Sequence, residues 1–291
     1  MEIKKNLSHS RFLCKMCKKC DGFGCKGELP GMGGVYESEN FIKNVSAWNE
    51  FYNNFSDEQK NEISLISTEG KIGLAPVTGA IQNIGFENEE DFYLPYFETG
   101  IAKNYFICSG DGTPDDKLKF SLDAVKKLGI KSYFFLKPYP DEILKNRISL
   151  VKDYALGIGV DIDAYNIVTM RNLVHLEKKT SQSLGRLKEY SSLPLLVKGI
   201  FTQEDIELCK VLKPDVAVIS NHGGRVETEK GSTCSFLYKN AKILKNYVKE
   251  LWVDGGLRTQ KNIQTALYLG ADRVLIARPL ITETCRKFMG I

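Results

Sequence analysis

The sequence predicts an α/β protein: an eight-stranded TIM-type (β/α)8 barrel with a cysteine-rich N-terminal extension. Three observations predict it. Short apolar runs alternate with amphipathic segments from residue 71 onward, the pattern of a parallel sheet with helical crossovers. There are eight such runs, enough strands to close a barrel. Polar and cationic residues gather where the runs end, and the carboxyl ends of the strands are where such barrels keep their chemistry. An open doubly wound sheet is the rival, but no glycine-rich fingerprint opens the first unit.

The runs are Ile72–Gly79, Asn104–Gly110, Tyr133–Tyr139, Ala155–Asp163, Leu193–Ile200, Val216–His222, Leu251–Gly256 and Arg273–Arg278. Each is rich in β-branched or aromatic residues and apolar on both faces, as strands buried on both sides are. Helices are expected between them. Asp115–Leu128 follows Pro114, which pre-sets a first turn. Asp141–Tyr154 follows Pro140. Thr202–Leu212 opens with Thr202 as N-cap and Asp205 three residues on. Phe236–Lys249 and Thr259–Leu269 complete the set, with Gly129 and Gly270 placed as helix stops. The expected division is residues 1–70 as the extension and 71–291 as the barrel. So little chain follows the eighth strand that its last helix is expected to be short or incomplete.

Composition narrows the function. The net charge of +4 comes without long Lys/Arg blocks, which argues against nucleic acid and suits a pocket for a small anionic substrate. No stretch approaches the ~18–20 apolar residues of a membrane span, and MEIKKNLSHSRF lacks the apolar core of a secretory signal. Eight cysteines without such a signal point to a reducing compartment. The expected location is therefore cytoplasmic.

Candidate chemistry sits at strand ends. Strand seven runs into DGGLR, Asp254–Arg258, and strand eight ends at Ala277–Arg278. Loops after these strands form phosphate sites in this fold. Gly255 and Gly256 let backbone amides approach an anion, and Arg258 and Arg278 supply charge. Strand six runs into SNHGGR, Ser220–Arg225. Of the three histidines, His9 lies in a polar tail and His175 reads as a surface residue, which leaves His222 as the candidate base. Asp161 on strand four is expected to orient its imidazole. Arg225 suits a substrate carboxylate, and Lys198 ends an otherwise apolar strand, facing either solvent or an anion in the mouth.

The run LPLLVKGIFTQEDIELCKVLKPDVAVISNHGGR, followed by LWVDGGLRTQKNIQTALYLGADRVLIARP, resembles the FMN-dependent α-hydroxy-acid oxidase and dehydrogenase family. The resemblance implies oxidation of the CH–OH group of a small 2-hydroxy acid. It makes His222 the base, oriented by Asp161, and Arg225 the carboxylate ligand. Lys198 would contact the flavin ring. Gly255, Gly256, Arg258 and Arg278 would hold the FMN phosphate. Ala75–Pro76–Val77 would pack along the flavin, with Ser109, Asp254 and Ala277 completing the cofactor set and Cys108 close by. Four departures stand out, one being Ala277 in place of the family's Gly before the last arginine, though its amide survives. The family's Phe-Gln-Leu-Tyr on strand three is Phe134–Phe135–Leu136–Lys137 here, the Thr of Thr-Val-Asp is Gly159, and a further substrate arginine has no counterpart. Two alternatives therefore stay open: an FMN-dependent isomerase resembling type 2 isopentenyl diphosphate isomerase, and a flavin-binding protein without turnover. By analogy a homo-oligomer is expected. The electron acceptor stays open between oxygen, a quinone and a protein.

Cys14, Cys17, Cys20 and Cys25 give C-x2-C-x2-C-x4-C. Four thiols so close suit zinc or an iron–sulfur cluster, with plain reduced thiols as the alternative. Cys108 and Cys209 read as core residues.

Overall fold

The computed structural model describes residues 39–84, 86, 88–166, 174–226 and 228–289. Cys14, Cys17, Cys20, Cys25 and His9 lie outside the described residues.

Eight parallel strands form the barrel: β1 (Ile72–Leu74), β2 (Cys108–Gly110), β3 (Ser132–Leu136), β4 (Ala155–Asp161), β5 (Leu195–Ile200), β6 (Val216–Ile219), β7 (Glu250–Val253) and β8 (Arg273–Ile276). They pair in the order β1-β8-β7-β6-β5-β4-β3-β2. The ring closes between β1 and β2 by the single bridge Gly73–Phe106, with Leu74 N donating to Phe106 O at 2.9 Å. The strands are shorter than their apolar runs. The residues past each strand end leave the ladder and form the mouth.

The side chains in the barrel interior are Ala75, Cys108, Phe135, Leu196, Val216, Val218, Trp252 and Leu275. The opposite residues of each strand face the helices, the period-two alternation of a pleated strand. Aromatic residues make the floor. Trp252 lies 5.1 Å from the rings of both Phe106 and Tyr133, and its indole N–H donates to Glu250 at 2.6 Å.

Helices cover the outside: α3 (Glu90–Ile101), α4 (Asp116–Lys127), α5 (Asp141–Val151), α6 (Ser181–Ser191), α7 (Gln203–Leu212), α8 (Thr233–Leu244), α9 (Gln260–Tyr268) and α10 (Arg278–Met289). The cap expected at Thr202 is present. Its side chain accepts from Asp205 N while Asp205 accepts from Thr202 N, a capping box. Gly129 and Gly270 follow α4 and α9 with φ of 63° and 112°, where a side chain would be strained. Helix α8 starts three residues before its expected Phe236, because Ser232 caps it by accepting from Ser235 N. The expectation of a short last helix is corrected. Helix α10 runs for 12 residues, since it starts directly at Arg278 with no loop after β8.

Two helices precede the barrel, α1 (Glu39–Asn53) and α2 (Asp57–Ser64). Helix α1 buries Asn40, Phe41, Asn44, Ala47 and Trp48 against the mouth of the barrel. Three of its polar side chains serve loops from the far end of the chain. Asn40 Nδ2 donates to Val226 O and Glu229 O, Asn44 Nδ2 to Asn221 Oδ1 at 2.7 Å, and Trp48 Nε1 to Gly255 O at 2.8 Å.

Candidate active site

One cavity opens at the carboxyl ends of the strands. Its lining includes Ala75, Pro76, Val77, Lys137, Lys198, His222, Arg225, Asp254, Gly255, Gly256, Arg258, Ala277 and Arg278. Local sequence accounts for the wall made by residues 75–77. Val77 N donates to Ala75 O at 2.8 Å, a tight turn just past β1. A Cβ on Gly110 would fall 2.7 Å from Pro76 O, so only glycine on β2 lets that turn lie so close.

His222 sits in the loop after β6 with φ of 53°, a left-handed conformation that non-glycine residues adopt at some cost. The loop is held from two sides. Asn221 Oδ1 accepts from Gly224 N at 3.0 Å and from Asn44 of α1. A Cβ on Gly224 would fall 2.4 Å from Phe41 N, so the second glycine of SNHGGR admits the helix.

The imidazole lies between two carboxylates and an ammonium. Its Nδ1 is 2.8 Å from Asp163, and its Nε2 is 3.5 Å from Asp161 and 3.3 Å from Lys137 Nζ. An ammonium can only donate, so Nε2 accepts and Nδ1 carries the proton given to Asp163. The expected partner, Asp161, lies beside the ring on its Nε2 side, while the carboxylate that holds Nδ1 is that of Asp163, two residues on. Gly199 makes room for it, since a Cβ there would lie 2.4 Å from Asp163 Oδ1. Gly199 adopts φ of 102° at a register shift in β5 between Lys198 and Ile200.

Asp161 instead anchors the cations. Its Oδ2 accepts from Lys137 Nζ at 2.6 Å, and its Oδ1 is 3.4 Å from Lys198 Nζ. Burial opposes its charge, yet the ammonium groups of Lys137 and Lys198 outweigh burial and hold it well below the usual carboxylate range. Lys198 is buried too, and burial disfavours its ammonium. Asp161, Asp254 and Asp163 more than offset that and raise it. Lys198 also donates to Ser220 Oγ at 3.1 Å and lies 3.4 Å from Asp254. The other oxygen of Asp254, Oδ1, has no hydrogen-bond partner among the described residues.

At the opposite end of the cavity, Gly255 and Gly256 have φ of 92° and 77°, where glycine is favoured. A Cβ on Gly256 would lie 1.8 Å from Asn44 O, so these glycines also seat α1. Neither amide donates to an acceptor among the described residues. Arg258, Arg278 and the first turn of α10 stand beside them.

Two residues expected beside the flavin are absent from this lining. Ser109 is fully buried, its hydroxyl 2.9 Å from Ser132 Oγ. Cys108 takes the inward position on β2, so its neighbour Ser109 must face the helices. The expectation that Ser109 lines the cofactor site is corrected accordingly. Cys108 is a core residue as expected, deep in the barrel interior and away from the cavity it was expected to adjoin. Burial pushes its thiol well up. Cys209 is a core residue as expected, its thiol raised to about 12 by burial. Two site residues were not assigned from sequence. Asp163 was visible as a second acidic residue closing strand four, and Lys137 was noted only as the loss of a tyrosine. Among the described residues, no group of three or more His, Cys, Asp or Glu side chains is arranged to hold a metal ion, and no helix is long and apolar enough to cross a membrane.

Known proteins share part of this sequence and the barrel. Residues 145–286 match the FMN-dependent dehydrogenase family. The 2-hydroxyacid oxidase 2 of Bos taurus is 35% identical over 169 residues, covering 56% of this chain and 48% of that protein. The L-lactate oxidase of Lactobacillus jensenii is 36% identical over 171 residues, covering 56% of this chain and 41% of that one. The chain thus spans about half the length of the curated relatives it matches. Among solved structures, a mandelate oxidase variant with (S)-mandelic acid superposes with a TM-score of 0.65 at 18% identity, covering 89% of this chain and 86% of that one. A putative lactate oxidase from Pediococcus acidilactici gives 0.61 at 17%, over 87% and 81%. These likenesses show the same barrel. The sequence match runs from α5 through most of α10, where the chain is similar to the FMN-dependent dehydrogenase family, and the barrel is shared with the solved oxidases throughout.

Proposed function

We propose that this protein binds FMN across the barrel mouth and oxidises a small 2-hydroxy acid at the carbon bearing the hydroxyl. One observation carries the reading: a single cavity joins a half-buried base, His222, and a carboxylate-binding cation, Arg225, to an anion-binding corner built from Gly255, Gly256, Arg258 and Arg278.

The residues present fit FMN. The two glycine amides and the start of α10 offer N–H groups to a phosphate, and the two arginines add charge-assisted donors. The turn Ala75–Pro76–Val77 gives an apolar wall of backbone for a flat ring. Lys198 supplies a buried positive charge held in place by Asp161 and Asp254, suited to a ring that becomes anionic on reduction. When bound, the flavin supplies the two-electron acceptor.

The chain's own residues do the rest. Arg225 grips the substrate carboxylate. The unprotonated Nε2 of His222 takes the hydroxyl proton. Asp163, against Nδ1, stabilises the imidazolium that results, and the rigid α1 strap keeps the His222 loop in place. An anaerobic absorbance titration of the FMN-loaded protein with a panel of 2-hydroxy acids tests the reading. Bleaching of the flavin band by at least one member is expected. Bound flavin that no member reduces would overturn it and would favour the isomerase or the protein without turnover.

A further inference from the structure

Lys137 does more than replace a tyrosine. It leaves β3 pointing inward, its backbone N–H held by Asp111 Oδ2 at 3.2 Å, and it is only 7% exposed. Its ammonium has three N–H groups. One goes to Asp161 at 2.6 Å and a second to His222 Nε2 at 3.3 Å. The residue lines the same cavity as His222 and Arg225.

A fixed ammonium touching the lone pair of a base works against that base gaining a proton. The arrangement is productive only if the same ammonium is compensated as the proton moves. A hydroxyl about to give its proton to Nε2 has to come within ~3 Å of that nitrogen. It then lies within reach of Lys137 Nζ, which shares the nitrogen. As the O–H bond breaks, negative charge grows on that oxygen, and a pre-positioned cation beside it in a buried site stabilises the charge strongly.

We propose that Lys137 is a catalytic and specificity-determining residue: its ammonium binds the oxygen on the substrate's α-carbon, holding the alkoxide as it forms and the carbonyl that replaces it. This rests on the 2-hydroxy-acid reading above. In the step, the alcohol loses two protons and two electrons as its O–H and C–H bonds break and a C=O bond forms. One proton goes to His222 Nε2, while the second proton and both electrons go to the flavin. Lys137 stays protonated throughout. Arg225 and Lys137 thereby divide the substrate, the first taking the carboxylate and the second the α-oxygen.

Two ligands of equal charge and similar size separate the roles. Pyruvate carries the α-oxygen and propionate does not. Binding of each to the oxidised, FMN-loaded protein is read from the shift it causes in the flavin absorbance, with no turnover required. The native protein is expected to prefer pyruvate by about 10- to 100-fold, the range of a charge-assisted hydrogen bond. Lys137→Met is expected to lose that preference and keep its affinity for propionate within about 3-fold, with flavin still bound. Should Lys137→Met fail to fold because Asp161 loses a cation, Lys137→Gln keeps a neutral donor and is expected to keep only part of the preference. A folded variant of either kind with the full pyruvate preference would overturn the role of Lys137 while leaving the proposed function standing. A native protein that holds flavin but binds neither acid would instead overturn the 2-hydroxy-acid reading and this proposal with it.

Discussion

The ring of Phe135 stands where a side chain on Gly159 would be: a Cβ built there falls 2.3 Å from Phe135 Cδ1. The two residues are paired across β3 and β4. They are also two of the positions at which the sequence departs from the family it resembles, and the structure makes those departures one complementary exchange, a larger side chain on one strand for a smaller one on the next. Gly159→Thr alone is therefore expected to destabilise the barrel by about 2–4 kcal/mol, as overpacking of a dense core does. Phe135→Gln combined with Gly159→Thr is expected to recover at least half of that loss. Urea denaturation of the two single variants and the double variant closes the cycle, and strict additivity would refute the coupling.

Asp163 is predicted to matter through its charge. Asp163→Asn preserves shape beside Nδ1 but no longer stabilises the imidazolium. The rate of anaerobic flavin reduction should fall on the order of 100-fold or more, with flavin content unchanged. Stopped-flow absorbance would measure it, and a rate within twofold of the native protein would exclude the role.

The seat of α1 gives a third expectation. At Gly256 a methyl group would meet Asn44 O at 1.8 Å in a backbone conformation with φ of 77°. Gly256→Ala should therefore displace the helix at a cost of about 2 kcal/mol or more. Trp48, fully buried in the native protein, should become solvated, with a red shift of tryptophan emission and weaker FMN retention. Emission and flavin affinity that both match the native protein would show that the helix does not depend on this contact.

A fourth expectation concerns acid. Asp215 lies on the far side of the barrel from the mouth. It accepts from Leu195 N at 2.9 Å and pairs with Lys188 and Lys249, each at 2.8 Å. Burial opposes its charge, but the hydrogen bonds from those two lysines prevail and lower its carboxyl to about 2. A depressed folded-state value gives stability that is present above the ordinary carboxylate range and is lost as pH falls from about 4 towards 2. Lys249 is 81% exposed, so solvent screens part of the effect, leaving about 1–2 kcal/mol. Asp215→Asn should cost that much at pH 7 and flatten the stability profile between pH 4 and pH 2. Denaturant midpoints at fixed pH values decide it, and parallel profiles would count against the assignment.

The barrel was legible because its strands are apolar on both faces and its helices announce themselves at Thr202, Gly129 and Gly270. Most of the mouth was legible because SNHGGR and DGGLR are short, local signals at strand ends. What escaped was non-local. Nothing in spacing says that a bulge at Gly199 makes space for Asp163, because the bulge belongs to a different strand. Ser109 was placed one step out of phase, since a run apolar on both faces does not declare which residues turn inward. Helix α1 was passed over within the extension because two of the five residues on its buried face are asparagines, whose partners lie far away in sequence.

That distance has a consequence for biosynthesis. Asn44 waits for a residue 177 positions later, Trp48 for one 207 positions later, and Asn49 for one 213 positions later. The first described helix to leave the ribosome is among the last to find its place. A nascent chain stopped before β6 would carry a helix with no seat, and one stopped before β7 would still lack the partners of Trp48 and Asn49, so the site is finished only once the last two strands have been made.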